Sequence, residues 1–194
     1  MNDFIDEKIM DTILKENPIR ERSFLSSVPK PISDLSIQEN DTDWVWEGYL
    51  AKGHLTLFSA LWKAGKSTLI AQLLKSIQAQ KDFAGQPTKP VKTLILSEES
   101  ENIWARRKED LNLDDGIWLL CRPIKQKLSY QQWIELLKYC ANFCKEKEID
   151  LFIVDTLSAF WNVKDENSAS DVDSALLPLN ELLENNMAVL LIHH

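Results

Sequence analysis

Residues 59–68 read Ser-Ala-Leu-Trp-Lys-Ala-Gly-Lys-Ser-Thr, between an apolar run and a helical pattern. A lysine and a hydroxyl residue placed directly after a glycine, where a helix opens, suit phosphate binding. A helix N-terminus offers unpaired N–H donors, and its dipole favours an anion. Lys66 supplies a point charge for the β- and γ-phosphates of a nucleotide, and the Ser67 hydroxyl is placed to hold Mg²⁺. Gly65 lets backbone approach phosphate closely. The candidate loop runs through Ala60, Leu61, Trp62, Lys63, Ala64 and Gly65 to Lys66 and Ser67, with Thr68 next on the helix. The pattern G-x-x-x-x-G-K-[ST] would have glycine where this chain has Ala60, and alanine serves there only if positive φ is not needed. Two readings of Lys63 stand side by side: a phosphate contact, or a solvated lysine. Trp62 either covers the nucleotide or packs outside it.

Phosphoryl transfer also needs a carboxylate at the metal, a group that orients water, and a polar sensor of the γ-phosphate. Leu151–Asp155 reads as a buried strand ending in an acid, so Asp155 emerges at the sheet edge where α/β proteins bind ligands. It lies about 90 residues after the loop and is the candidate second metal residue. Ser97-Glu98-Glu99-Ser100 follows another apolar strand, and either glutamate could polarise the attacking water. An acidic first turn favoured by the helix dipole explains the same residues, and both readings can hold at once. His193 and His194 follow the apolar run Ala188–Ile192, at the same sheet edge, and are candidates for the γ-phosphate sensor.

The elements that must position these residues alternate. Apolar runs at His54–Ala60, Val91–Ser97, Ile117–Cys121, Asp150–Asp155 and Ala188–Ile192 read as strands. Between them, helices are expected over 66–80, 101–111, 129–147 and 171–185, the third opening with a Ser129–Gln132 capping box. Residues 81–90 (KDFAGQPTKP) are turn chemistry and 162–170 a polar loop. Strands that are nearly continuous apolar runs belong in a parallel sheet covered on both faces, so the fold class is α/β. Ahead of this core, residues 1–15 carry an amphipathic helical pattern, and 16–43, with three prolines, read as a linker or arm. The expected division is therefore 1–43 and 44–194.

The chain's 194 residues suffice for one domain with a short appendage. Its 22 Lys and Arg against 30 Asp and Glu leave a net charge of −8, which argues against a protein that coats polyanions. No apolar run approaches the ~20 residues of a membrane span, and the N-terminus lacks a secretory pattern, so the expected location is the cytoplasm. Three cysteines make no disulfide framework. Cys140 and Cys144 continue the apolar stripe of Trp133, Leu136 and Leu137, and read as core rather than a metal pair.

Taken together, WVWEGYLAKGHLTLFSA, WKAGKST, DFAGQP, LILSEES with WARR, DLFIVDTLSAFW, SDVDSALLPLNELLE and VLLIHH resemble the RecA-like P-loop ATPases. Within them the chain is similar to the RepA-type branch of hexameric plasmid replicative helicases and related AAA-labelled ATPases. The resemblance runs from about Trp44 to His194. It implies a three-layer αβα P-loop NTPase fold with strand order 3-2-4-5-1, Mg-ATP as cofactor, and a ring-forming homo-oligomer. By position, the water-orienting glutamate falls on Glu99, with Glu98 second, and the sensor histidine on His194, with His193 second. Arg106 and Arg107 match no motif, and a solvated helix face is expected for both. The family's DNA-binding loop and outer strands would follow the histidines, so the resemblance also implies a core cut short there. The expected function is an ATPase motor core in DNA replication or mobile-element maintenance. The alternative is a nucleotide-dependent regulator that does not act on DNA.

Overall fold

The computed structural model describes residues 29–35, 42–163 and 165–193. They belong to two units, 1–40 and 41–194, each described by itself. The helix expected over 1–15 and the sensor candidate His194 lie outside the described residues. In the first unit, residues 29–35 are exposed and carry one 3-10 turn, Ile32–Asp34.

The second unit opens with an antiparallel hairpin of β1 (Trp44–Trp46) and β2 (Leu50–Ala51). Five parallel strands follow: β3 (Leu55–Ser59), β4 (Thr93–Ser97), β5 (Ile117–Cys121), β6 (Leu151–Asp155) and β7 (Ala188–His193). Their order across the sheet is β3-β7-β6-β4-β5. Counted in chain order within this sheet and read from the β5 side, that is the expected 3-2-4-5-1.

Burial follows position in the sheet. Every residue of β4 and β6 is buried, and β7 is buried through Ile192. The end strands β3 and β5 are only partly covered. The period-2 alternation of a strand divides the core between two faces. Leu94, Leu96, Phe152, Val154, Val189 and Leu191 face one side, where they meet Trp133, Leu137, Cys140 and Cys144 of α3 (Tyr130–Lys147). Ile95, Leu151, Ile153, Leu190 and Ile192 face the other, where they meet Ile70, Leu73, Leu74 and Ile77 of α1 (Lys66–Ala79) and Trp104 of α2 (Glu101–Leu111). Each such aliphatic side chain contributes about 1.5–3 kcal/mol when fully buried.

Caps set the helix ends. Ser129 Oγ accepts from the Gln132 N–H at 3.3 Å, and Gln132 Oε1 accepts from the Ser129 N–H at 2.9 Å, so the expected capping box is formed. The turn chemistry at 81–90 closes on Phe83 and Gln86, which exchange both backbone hydrogen bonds around Ala84 and Gly85. Both central residues have positive φ (50° and 80°), as a type I′ turn demands.

The helix expected over 171–185 is broken. A four-residue α4 (Leu157–Phe160) comes first, and the expected helix is then α5 (Ala169–Leu176), a 3-10 turn (Leu177–Leu179) and α6 (Asn180–Glu184). Pro178 explains the break: it has no N–H to donate and its ring collides with the carbonyl four residues back. The hairpin and α4 were not expected from the sequence.

Cys140 and Cys144 are buried in the core, as their stripe suggested. Burial pushes both thiols up to about 12, helped at Cys140 by its neighbour Cys144. Cys121 is partly exposed, and its thiol is raised by burial, then by Glu101 and Glu99, against Arg122. A thiol reagent at pH 8 should therefore label the native chain at Cys121 alone, and slowly. Rapid labelling of all three before unfolding would contradict this packing.

Candidate functional site

β3 delivers the chain into the loop at 60–65, and α1 begins at Lys66. Gly65 caps α1 with φ 87° and ψ 20°. A Cβ there would meet nothing within 4 Å, so glycine answers to the left-handed backbone rather than to crowding. Ala60 takes no positive φ, whereas Lys63 does (60°). The missing first glycine therefore leaves the loop intact. The first helical bond runs from the Leu69 N–H to the Gly65 carbonyl at 2.9 Å. The N–H groups of Lys66, Ser67 and Thr68 precede it and are not consumed by the helix. Lys66 is 6% exposed, and its Nζ donates back to the Ala60 and Leu61 carbonyls at 2.8 and 3.0 Å.

The sheet ends in a row at this loop. In register, Ser59 pairs with His193, Asp155 with Ile192, and Ser97 with both Asp155 and Cys121. The Glu98 N–H donates to the Asp155 carbonyl at 2.8 Å, which ties the two acidic segments together. The resulting cleft, about 330 Å³, is lined by Trp62 to Thr68 on one side and by Glu98, Glu99, Arg107 and Thr156 on the other. A larger cavity of about 470 Å³ lies at the opposite end of the strands, lined by residues such as Ile77, Val91, Thr93 and Glu148. It carries no helix N-terminus, so size does not make it the phosphate site.

Asp155 is 1% exposed, and its carboxylate makes no well-formed hydrogen bond, the Ser67 hydroxyl being the nearby donor. Burial holds its carboxyl above the ordinary carboxylate range. The nearby Ser67 hydroxyl pulls it down, Glu99 and then Glu98 push it up, and Arg107 offsets them. A buried carboxylate with so little hydrogen-bond support is costly unless something positive completes it. Ser67 and Asp155 thus fit a hard cation that takes oxygen ligands. Among the described residues no three His, Cys, Asp or Glu side chains converge as ligands, so a bound nucleotide and water would have to supply the rest.

The two glutamates differ. Glu98 is exposed, while Glu99 is half-buried and paired with Arg107. Arg107 corrects the sequence reading: its side chain is only 17% exposed, against the solvated face expected. Arg106 is exposed as expected. Sequence reasoning also missed Thr156, Ser97 and Trp104. Trp104 and Arg107 are three apart on one helix face, a spacing that could have flagged them. His193 stands at the edge but outside the cleft lining, with Nε2 3.4 Å from Glu166 Oε1 and its ring 5.4 Å from that of Trp161. Trp62 is 69% exposed and Lys63 Nζ sits 4.2 Å from its ring centre.

No helix among the described residues is long and apolar enough to cross a membrane. No curated protein matches the chain. A family model described as AAA domain matches residues 24–194, a span that takes in the loop, the acidic segments and the whole sheet. That domain is of the P-loop ATPase type, and it suggests nucleotide binding and hydrolysis. On that match, and on the αβα sheet that carries it, the chain belongs to the AAA domain family.

Proposed function

We propose that this chain binds Mg-ATP and hydrolyses it as the RecA/RepA-like core of a motor acting in DNA replication or mobile-element maintenance. The observation that carries the reading is the buried Asp155 carboxylate at the end of β6, without a well-formed hydrogen bond and with the Ser67 hydroxyl nearby. The loop N–H groups and Lys66 hold the phosphates. Ser67 and Asp155 would hold Mg²⁺, which when bound offsets charge on the phosphate oxygens. Glu99 orients a water towards the γ-phosphorus. The bond from that phosphorus to the bridging oxygen breaks, and ADP and phosphate leave. The sensor role falls to His194, with His193 second. Assembly as a ring and a cytoplasmic location belong to this same reading.

Lys66→Ala removes a charge from the loop. ATP affinity should fall by about 1.5–3 kcal/mol, roughly 10- to 100-fold. Equal affinities in a titration of both proteins would sink the assignment. A second reading, a nucleotide-dependent regulator that leaves DNA alone, is favoured by the net charge of −8. Retention of single-stranded DNA on filters, with and without ATP, separates the two.

A further inference from the structure

Glu99 does not stand alone in the cleft. Arg107 on α2 donates to its carboxylate from both terminal nitrogens, Nη2 to Oε1 at 2.9 Å and Nη1 to Oε2. The guanidinium lies 4.8 Å from the centre of the Trp104 ring. Trp104 is 1% exposed, and its indole N–H donates to Ser97 Oγ at 2.9 Å. The same Ser97 Oγ accepts the Glu99 N–H at 3.1 Å. Backbone and carboxylate of Glu99 are thus held from the two ends of one closed chain: Ser97, Trp104, Arg107, Glu99. Ser97 is itself fully buried at the end of β4, so the chain is rooted in the sheet. A two-point arginine–carboxylate pair fixes direction as well as distance. The flat guanidinium also lies over the indole, a contact that lysine would not reproduce in full.

We propose that Arg107 is a positioning residue for nucleotide turnover: backed by Trp104 and Ser97, it aims the Glu99 carboxylate into the phosphate cleft. This rests on the ATPase reading above. Misplacing a reacting group by about 1 Å can cost about 10²-fold in rate. Because Arg107 acts through Glu99, its contribution must vanish when Glu99 is gone.

The test uses the full chain and four variants, Arg107→Ala, Arg107→Lys, Glu99→Gln and the Arg107→Ala/Glu99→Gln double. Arg107→Ala should lower kcat about 10- to 100-fold while KM and ATP affinity stay within about threefold. Arg107→Lys should recover part of that loss. The double variant should turn over no more slowly than Glu99→Gln alone. A loss of ATP affinity that persists in the Glu99→Gln background would mean that Arg107 touches the nucleotide itself, and would overturn the proposal. So would an unchanged kcat in Arg107→Ala. The melting midpoints of the same proteins form a second cycle that needs no ATP. A wild-type chain without turnover sinks the ATPase reading and this proposal with it, while coupled midpoints would still reveal the pair. Normal turnover that ignores Arg107 sinks the proposal alone.

Discussion

Glu99→Gln is expected to leave ATP bound and to cut its turnover by about 10²- to 10⁴-fold, the range of a lost acid–base group. Glutamine keeps the shape and one acceptor for Arg107, but not the charge that polarises water. Affinity should hold, because no phosphate contact is assigned to Glu99. Glu99 is half-buried in the cleft lining and held by Arg107, which favours it as the water-orienting glutamate. Glu98 is the more exposed of the two and is the fallback. The measurement is steady-state turnover beside equilibrium ATP binding, for both single variants. Lost turnover in Glu98→Gln with Glu99→Gln unaffected would move the role by one residue. If neither variant slows hydrolysis, the water is oriented from elsewhere.

Asp155→Asn should show two effects of opposite sign. Folding holds this carboxyl above its ordinary value of 3.8, chiefly through burial. The folded state therefore prefers the protonated form. Stability falls as pH rises from about 3.8 through the raised value, and the full penalty is present above it. Asparagine cannot ionise, so the variant should be the more stable protein at neutral pH. A gain of about 1 kcal/mol would raise the melting midpoint by about 2–4 °C in a chain of this size. The same substitution removes an oxygen anion that Mg²⁺ would need, so the Mg²⁺-dependent part of ATP binding should drop about tenfold or more. Melting curves across pH, with and without Mg-ATP, read both. A midpoint that does not rise, together with an unchanged response to Mg-ATP, would remove Asp155 from the site.

The sheet was legible because its strands are apolar on both faces. LFIVD and TLILS need no partner in sequence to announce a doubly covered strand, and both are buried throughout. The strand–loop–helix junction at 60–66 was legible because a glycine, a lysine and a hydroxyl residue follow an apolar run where a helical pattern opens. What was illegible depends on tertiary contact. The hairpin at Trp44–Ala51 is held by aromatic packing, with Trp46 stacked at 4.1 Å on Tyr49 and bonded through its indole to the Phe83 carbonyl, 37 residues away. Arg107 resembled Arg106 in sequence, and only the path of β4 into α2 decides which of them turns inward. Pro178 lies inside the periodic stretch Asp171–Asn185. A proline interior to a helix should have outweighed the periodicity, since its cost of about 3 kcal/mol exceeds what the apolar spacing promises there.

One feature of the sheet bears on how the loop behaves in time. β3 carries the phosphate loop, yet it hydrogen-bonds to a single neighbour among the described residues, β7, over five register pairs. Strands at the margin of a sheet exchange their amide protons through small local openings, while central strands wait for the whole fold to come apart. The candidate phosphate loop is thus joined to one of the two edge strands of the sheet. A ligand gripping the loop would couple to that fraying, because whatever binds only the closed form draws the population towards it. Occupancy would then be written into the exchange lifetimes of Leu55–Ser59, the strand that precedes the loop.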